Sequence, residues 1–101
     1  MMLQRITMSR LDSDGITRLE LTDGRVIAVY EIDGKYYATD DLCSHGQASL
    51  ADGELDGFEI LCPFHLGSFD IRTGRAIRAP CSVNIVAYQV ISDGDDIIIE
   101  G

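Results

Sequence analysis

A chain of 101 residues, 46% hydrophobic and 25% charged, is enough for one small domain spanning 1–101 and too apolar for wholesale disorder. Seventeen acids against eight Lys and Arg give a formal net charge of −9, which argues against a nucleic-acid partner, because phosphate binding needs a positive surface. No apolar run approaches the ~20 residues of a membrane span, the N-terminus has no signal-peptide stretch, and three cysteines cannot make a complete disulfide framework, so a soluble protein of the reducing cytoplasm is expected.

Turn chemistry organises the chain. Gly15, Gly24, Gly34, Gly53, Gly57 and Gly94 each follow Asp, and Asp-Gly supplies the positive φ angles of tight hairpins. Between the first three of these turns, Ile16–Leu21, Arg25–Ile32 and Lys35–Ala38 read as short strands. Near the C-terminus, Asn84–Ile91 and Asp96–Glu100 read as two strands joined across Ser92-Asp93-Gly94-Asp95. No segment of ten or more residues has convincing helical periodicity. The expected fold is all-β, a meander plus a C-terminal hairpin forming one barrel-like core. The Asp-Gly turns lack the alternating acids of a calcium loop and are taken as hairpins.

Residues 40–67 differ. They hold both histidines, two of the three cysteines and four glycines, with a weak hydrophobic pattern. Such a stretch is expected to be held by something other than a core. It contains Cys43-Ser44-His45, sixteen further residues, and then Cys62-Pro63-Phe64-His65. Thiolates and imidazoles are preferred ligands of zinc and iron, and closely spaced pairs let each loop act as one claw. Two centres remain open. One is a mononuclear Cys₂His₂ zinc site, although zinc fingers usually pair Cys with Cys and His with His. The other is a [2Fe–2S] cluster with two His on one iron.

The pattern Cys43-x-His45 with Cys62-x-x-His65 resembles the Rieske iron–sulfur signature. Its flanks Asp41-Leu42, Leu50-Ala51-Asp52-Gly53, Gly67-Ser68-Phe69-Asp70 and Thr73-Gly74 match too, and the likeness continues through Pro80 over essentially the whole chain. The chain looks similar to the stand-alone Rieske-type ferredoxins of bacterial aromatic-ring-hydroxylating dioxygenase systems. The resemblance implies that Cys43 and Cys62 hold one iron and His45 and His65 the other. It implies an antiparallel β-sandwich base bearing a two-loop cluster-binding subdomain, roughly residues 40–70. The segment around Pro80 would cover a third side, and the histidine edges would face a docking partner. It also implies a monomeric one-electron carrier rather than an enzyme, working between a flavin-containing reductase and a terminal oxygenase. The alternatives are the Rieske-like small subunit of a nitrite reductase and, ranked last, a zinc-stabilised binding module. Cys81 is read as a small residue beside Pro80 rather than a ligand.

Two ferric ions, two sulfides and two thiolates sum to zero formal charge, so neutral imidazoles make reduction easier than in an all-Cys cluster. Rieske centres accordingly span roughly −150 to +300 mV. High-potential members carry a disulfide between the loops and hydroxyl donors to the cluster. Here the corresponding positions are Ala48, Phe64, Gly67 and Phe69, with Ser68 displaced by one residue, so the low end of that range is expected. The potential is expected to fall with rising pH as the paired histidines deprotonate. Asp40, Asp41, Asp52, Glu54, Asp56 and Glu59 suggest an acidic docking face whose electron-transfer rates fall with salt.

Overall fold

The computed structural model describes residues 2–11, 15–43, 48–63, 67–79 and 83–101. Ten strands run in chain order: β1 (Met2–Thr7), β2 (Ile16–Glu20), β3 (Val26–Ile32), β4 (Lys35–Asp40), β5 (Glu54–Asp56), β6 (Glu59–Leu61), β7 (Ser68–Asp70), β8 (Ala76–Arg78), β9 (Ala87–Asp93) and β10 (Asp96–Glu100). They form two antiparallel sheets, β1-β10-β9-β4-β3-β2 and β5-β6-β7-β8. The only helical pieces among the described residues are the 3₁₀ turns Met8–Arg10 and Leu50–Asp52.

The larger sheet curls. Its two edge strands feed the same buried cluster, Ile6 from β1 and Leu19 from β2, together with Ile27, Val29, Ala38, Tyr88, Ile97 and Ile99. The Gln4 side chain accepts a 2.8 Å bond from the backbone N–H of Thr22. β3 is the element that joins the two sheets. Its run Val-Ile-Ala-Val-Tyr lacks alternation, as expected for a strand covered on both faces. Ile27 and Val29 enter the first core, whereas Ala28 and Tyr30 enter a second one with Leu50, Ile60, Phe69 and Ile71. That second core seats the small sheet on the large one.

Asp33 and Gly34 both have positive φ, 52° and 80°, between the paired residues Ile32 and Lys35. That is the requirement of a type I′ hairpin. Gly15, Gly24, Gly57 and Gly94 have positive φ as expected, with Asp14 outside the described residues. Asp52-Gly53 is a correction. Gly53 has φ −87° and closes the turn Leu50–Asp52 instead of a hairpin. What it needs is space: a Cβ there would sit 2.0 Å from the carbonyl oxygen of Leu61.

β9 begins at Ala87, three residues later than expected, because the preceding residues are bonded elsewhere. Asn84 Oδ1 accepts from the Ala76 N–H at 2.9 Å, and the Ile85 N–H donates to Gly74 at 2.9 Å. The segment after Pro80 is thereby fastened to the small sheet.

Two tyrosines brace β4. Tyr30 Oη lies 2.9 Å from Thr39 Oγ1, and Tyr88 Oη donates to Asp40 at 2.6 Å. Burial raises the Tyr30 phenol above its usual value. Burial, reinforced by the Asp40 hydrogen bond, pushes Tyr88 up to about 12. An unfolded phenol ionises near ~10, so the stability these groups add is present below that pH and is lost as pH rises toward 12. Tyr88→Phe should cost ~1 kcal/mol near neutrality and flatten the alkaline decline. Urea unfolding at about pH 8 and about pH 11 will show the gap to the native sequence narrowing.

Candidate metal centre

The two cysteines occupy equivalent places in two hairpins of equal length. In the first, Leu42 pairs with Ser49, and the Cys43 N–H donates to the Ala48 carbonyl at 2.9 Å. In the second, Leu61 pairs with Ser68, and the Cys62 N–H donates to the Gly67 carbonyl at 2.9 Å. Each Cys therefore opens a loop closed by a backbone bond to the residue five positions on. Both side chains are buried, Cys43 at 1% and Cys62 at 4% exposure, and both belong to the second core with Leu50, Ile60 and Phe69. His45 and His65 lie within these two loops but outside the described residues, as do Phe64, Pro80 and Cys81.

The bases of the hairpins are anchored by polar groups. Asp41, itself buried, accepts from Ser49 Oγ at 2.6 Å and from the Ala51 N–H at 3.0 Å. Its own N–H donates to Val26 at 3.1 Å and its carbonyl accepts from Leu50 at 2.7 Å. On the other hairpin the fully buried Ser68 donates its hydroxyl to Glu59, which Arg78 Nε meets at 2.6 Å. Beyond them, Asp70 is held by Arg72 at 3.0 Å, which lowers its pKa, and Arg72 also stacks 4.3 Å above the Phe58 ring.

Of the positions that would supply hydroxyl donors, Gly67 offers backbone only, the Phe69 ring is fully buried, and the Ser68 hydroxyl is bonded to Glu59. The acidic set is smaller than its sequence suggests. Asp41 is buried, Asp40 accepts from Tyr88, and Glu59 is paired with Arg78. Asp52, Glu54 and Asp56 stay exposed in and beside β5, an edge strand.

The sequence alone points to no role for Ser49, and for Glu59 only to a place in the acidic face. A signal for the pairing exists: slid along itself by nineteen positions, the chain lays Leu42-Cys43 on Leu61-Cys62 and Ser49 on Ser68.

Two soft thiols, brought together in an apolar core from two matched loops that each carry a histidine, fit a cluster shared between Cys and His ligands. The chain belongs to the Rieske [2Fe-2S] domain family, which it matches over residues 5–89. A Rieske-type [2Fe–2S] cluster is the cofactor that this membership assigns.

The chain is similar to relatives that are ferredoxin components, electron carriers and not catalysts. It is 45% identical over 86 residues to the ferredoxin component of the p-cumate 2,3-dioxygenase system of Pseudomonas putida, covering 84% of this chain and 73% of that one. It is 49% identical over 78 residues to the ferredoxin component of the naphthalene 1,2-dioxygenase system of Pseudomonas aeruginosa, covering 77% and 75%. Among solved structures, the ferredoxin of carbazole 1,9a-dioxygenase from Nocardioides aromaticivorans IC177 superposes with a TM-score of 0.87 at 35% identity, covering 96% and 95%. A complex of reduced oxygenase and oxidized ferredoxin in carbazole 1,9a-dioxygenase gives 0.85 at 35% identity, covering 99% and 93%. A nitrite reductase small subunit gives 0.80 at 16% identity, covering 100% and 99%, and shares the fold alone. The chain is thus an electron carrier of the Rieske kind. Among the described residues no helix is long and apolar enough to cross a membrane.

Proposed function

We propose that this protein carries single electrons from a flavin-containing reductase to the terminal oxygenase of an aromatic-ring-hydroxylating system in the cytoplasm, as a monomer. Cys43 and Cys62 bind one iron, and His45 and His65 bind the other. Residues roughly 40–70 act as the cluster-binding unit on the six-stranded base. The observation that carries this reading is the pair of buried thiols on two equal hairpins within one core. The ferredoxin components at 45% and 49% identity support the dioxygenase assignment. The solved oxygenase–ferredoxin complex supports the choice of an oxygenase as acceptor.

When bound, the cluster supplies a one-electron redox step. The chain supplies the rest. Cys43 and Cys62 anchor it from the apolar side, where Leu50, Ile60 and Phe69 exclude water. Ring dihydroxylation by O₂ consumes two reducing electrons, so the carrier visits the oxygenase twice per turnover. The lack of hydroxyl donors at Gly67 and Phe69 keeps the potential at the low end of the Rieske range. A nitrite reductase subunit is the weaker reading, since the likeness there reaches only the fold.

Low-temperature EPR of the purified protein, with iron and acid-labile sulfide assays, tests the assignment. A silent oxidised state and a rhombic reduced signal of low average g are expected after dithionite. A colourless protein containing one zinc would overturn the carrier function.

A further inference from the structure

The two ligand hairpins share a second feature beyond their length. In each, the serine six positions after the cysteine gives its hydroxyl proton to a carboxylate that precedes the cysteine. Ser49 Oγ donates to Asp41 at 2.6 Å, and Ser68 Oγ donates to Glu59. The direction is not in doubt chemically, because an ionised carboxylate can only accept. A serine has one such proton, so once it is given to the carboxylate it is withheld from any sulfur in the loop. Each serine is also the strand partner of the leucine immediately before the cysteine. An arginine completes both units. Arg18 Nη1 donates to Ser49 Oγ at 3.4 Å, and Arg78 meets Glu59 at 2.6 Å and 3.4 Å.

We propose that these two serine–carboxylate clamps, Ser49 with Asp41 and Ser68 with Glu59, are positioning devices that set the reduction potential of the centre. They fix the base of each ligand hairpin, hold both hydroxyls away from the cluster, and put a negative charge two residues before Cys43 and three before Cys62. The proposal rests on the cluster assignment made above and adds the residues that tune it. An electron arriving beside a fixed anion in a poorly screened interior is disfavoured. Withdrawing the donors acts in the same direction, because a hydrogen bond to a cluster sulfur favours the reduced form. The two arginines differ. Arg78 binds the carboxylate and offsets its charge, whereas Arg18 binds the serine. Asp41 therefore has the larger effect.

The test is the reduction potential of the cluster-loaded protein, read by EPR-monitored titration in the native sequence and in five variants. Asp41→Asn should raise the equilibrium constant for reduction about tenfold, which is ~59 mV for one electron. Glu59→Gln should raise it about threefold, and Arg78→Gln should lower it about twofold. Ser49→Ala and Ser68→Ala should each leave it within about twofold, since each hydroxyl proton is given to a carboxylate. Opposite signs at Glu59 and Arg78 mark an electrostatic role, because mere loosening of the loop would move both the same way. Arg78 is exposed, so the Glu59→Gln and Arg78→Gln pair decides the matter on folded protein even where Asp41→Asn fails to load. A tenfold fall in Ser68→Ala, or equal or absent shifts in the Glu59 and Arg78 variants, overturns the clamp. A native protein without the Rieske signal overturns the cluster assignment itself and is seen before any variant is made.

Discussion

Gly53→Ala will cost the protein ~2–3 kcal/mol and lower its melting temperature by about 10–20 °C. A methyl group at this position would lie 2.0 Å from the carbonyl oxygen of Leu61 and 3.2 Å from that of Leu50. Both obstacles are backbone, so neither can swing aside as a long side chain would. Leu61 is held in register against Glu54 on one side and Ser68 on the other. It is also the residue before Cys62, so relief of the clash displaces a proposed ligand. Iron per chain should therefore fall together with stability. Gly57→Ala is the control. It has φ +61° with nothing within 4 Å of a Cβ, so it should lose only the ~1–2 kcal/mol of a left-handed backbone and keep its iron. Thermal unfolding and iron analysis of both variants check this. Equal iron loss in the two would show that contact with Leu61 does not matter.

Alanine at Cys43 or Cys62 will bring iron and labile sulfide close to zero, whereas alanine at Cys81 will leave both, and the EPR signal, unchanged. The distinction follows from placement. Cys43 and Cys62 open matched hairpins and belong to one core, and removal of either would leave the iron they are proposed to share with one thiolate. Cys81 stands a further nineteen residues after Cys62, but Pro80 replaces the leucine that precedes the other two, Ala87 replaces the serine six positions on, and no histidine follows it. Retention of the full signal in the Cys62 variant would remove Cys62 from the ligand set. Its loss in the Cys81 variant would add Cys81.

The chain declares its large sheet well because turns and strands there agree. Asp33-Gly34 can hardly be anything but a type I′ hairpin, and the apolar run of β3 is long enough to be read as a buried strand. The proposed ligand quartet stands out for a different reason: metal chemistry restricts residue type and spacing tightly, and both histidines of the chain follow a cysteine. β1 is not legible in the sequence because only Ile6 of its six residues is buried. An edge strand with one inward side chain shows no alternation. β5 to β8 are three residues each, below the length at which a period of two can be recognised. Their order comes from long-range partners: Phe69 against Ile60 across a strand pair, and Glu59 against Arg78 across an ion pair. Gly53 misled because Asp-Gly signals conformation, whereas here the glycine answers a steric demand from a strand that follows it in sequence. The serine–carboxylate clamps were invisible to motif reading, since Ser, Asp and Glu are common and only their shared register gives them meaning.

The two-sided burial of β3 has a consequence for how the molecule breathes. A strand whose alternate side chains belong to different cores cannot release one of them quietly. Any opening that exposes the thiols must disturb Ala28 and Tyr30, and through the same backbone Ile27 and Val29. The base and the ligand hairpins therefore form one cooperative unit, with the amides of β3 among the last to exchange with solvent deuterium. Tightening the hairpins around a bound centre lowers the frequency of that opening for the whole chain. Holding its electron-carrying group and resisting proteolysis become the same property.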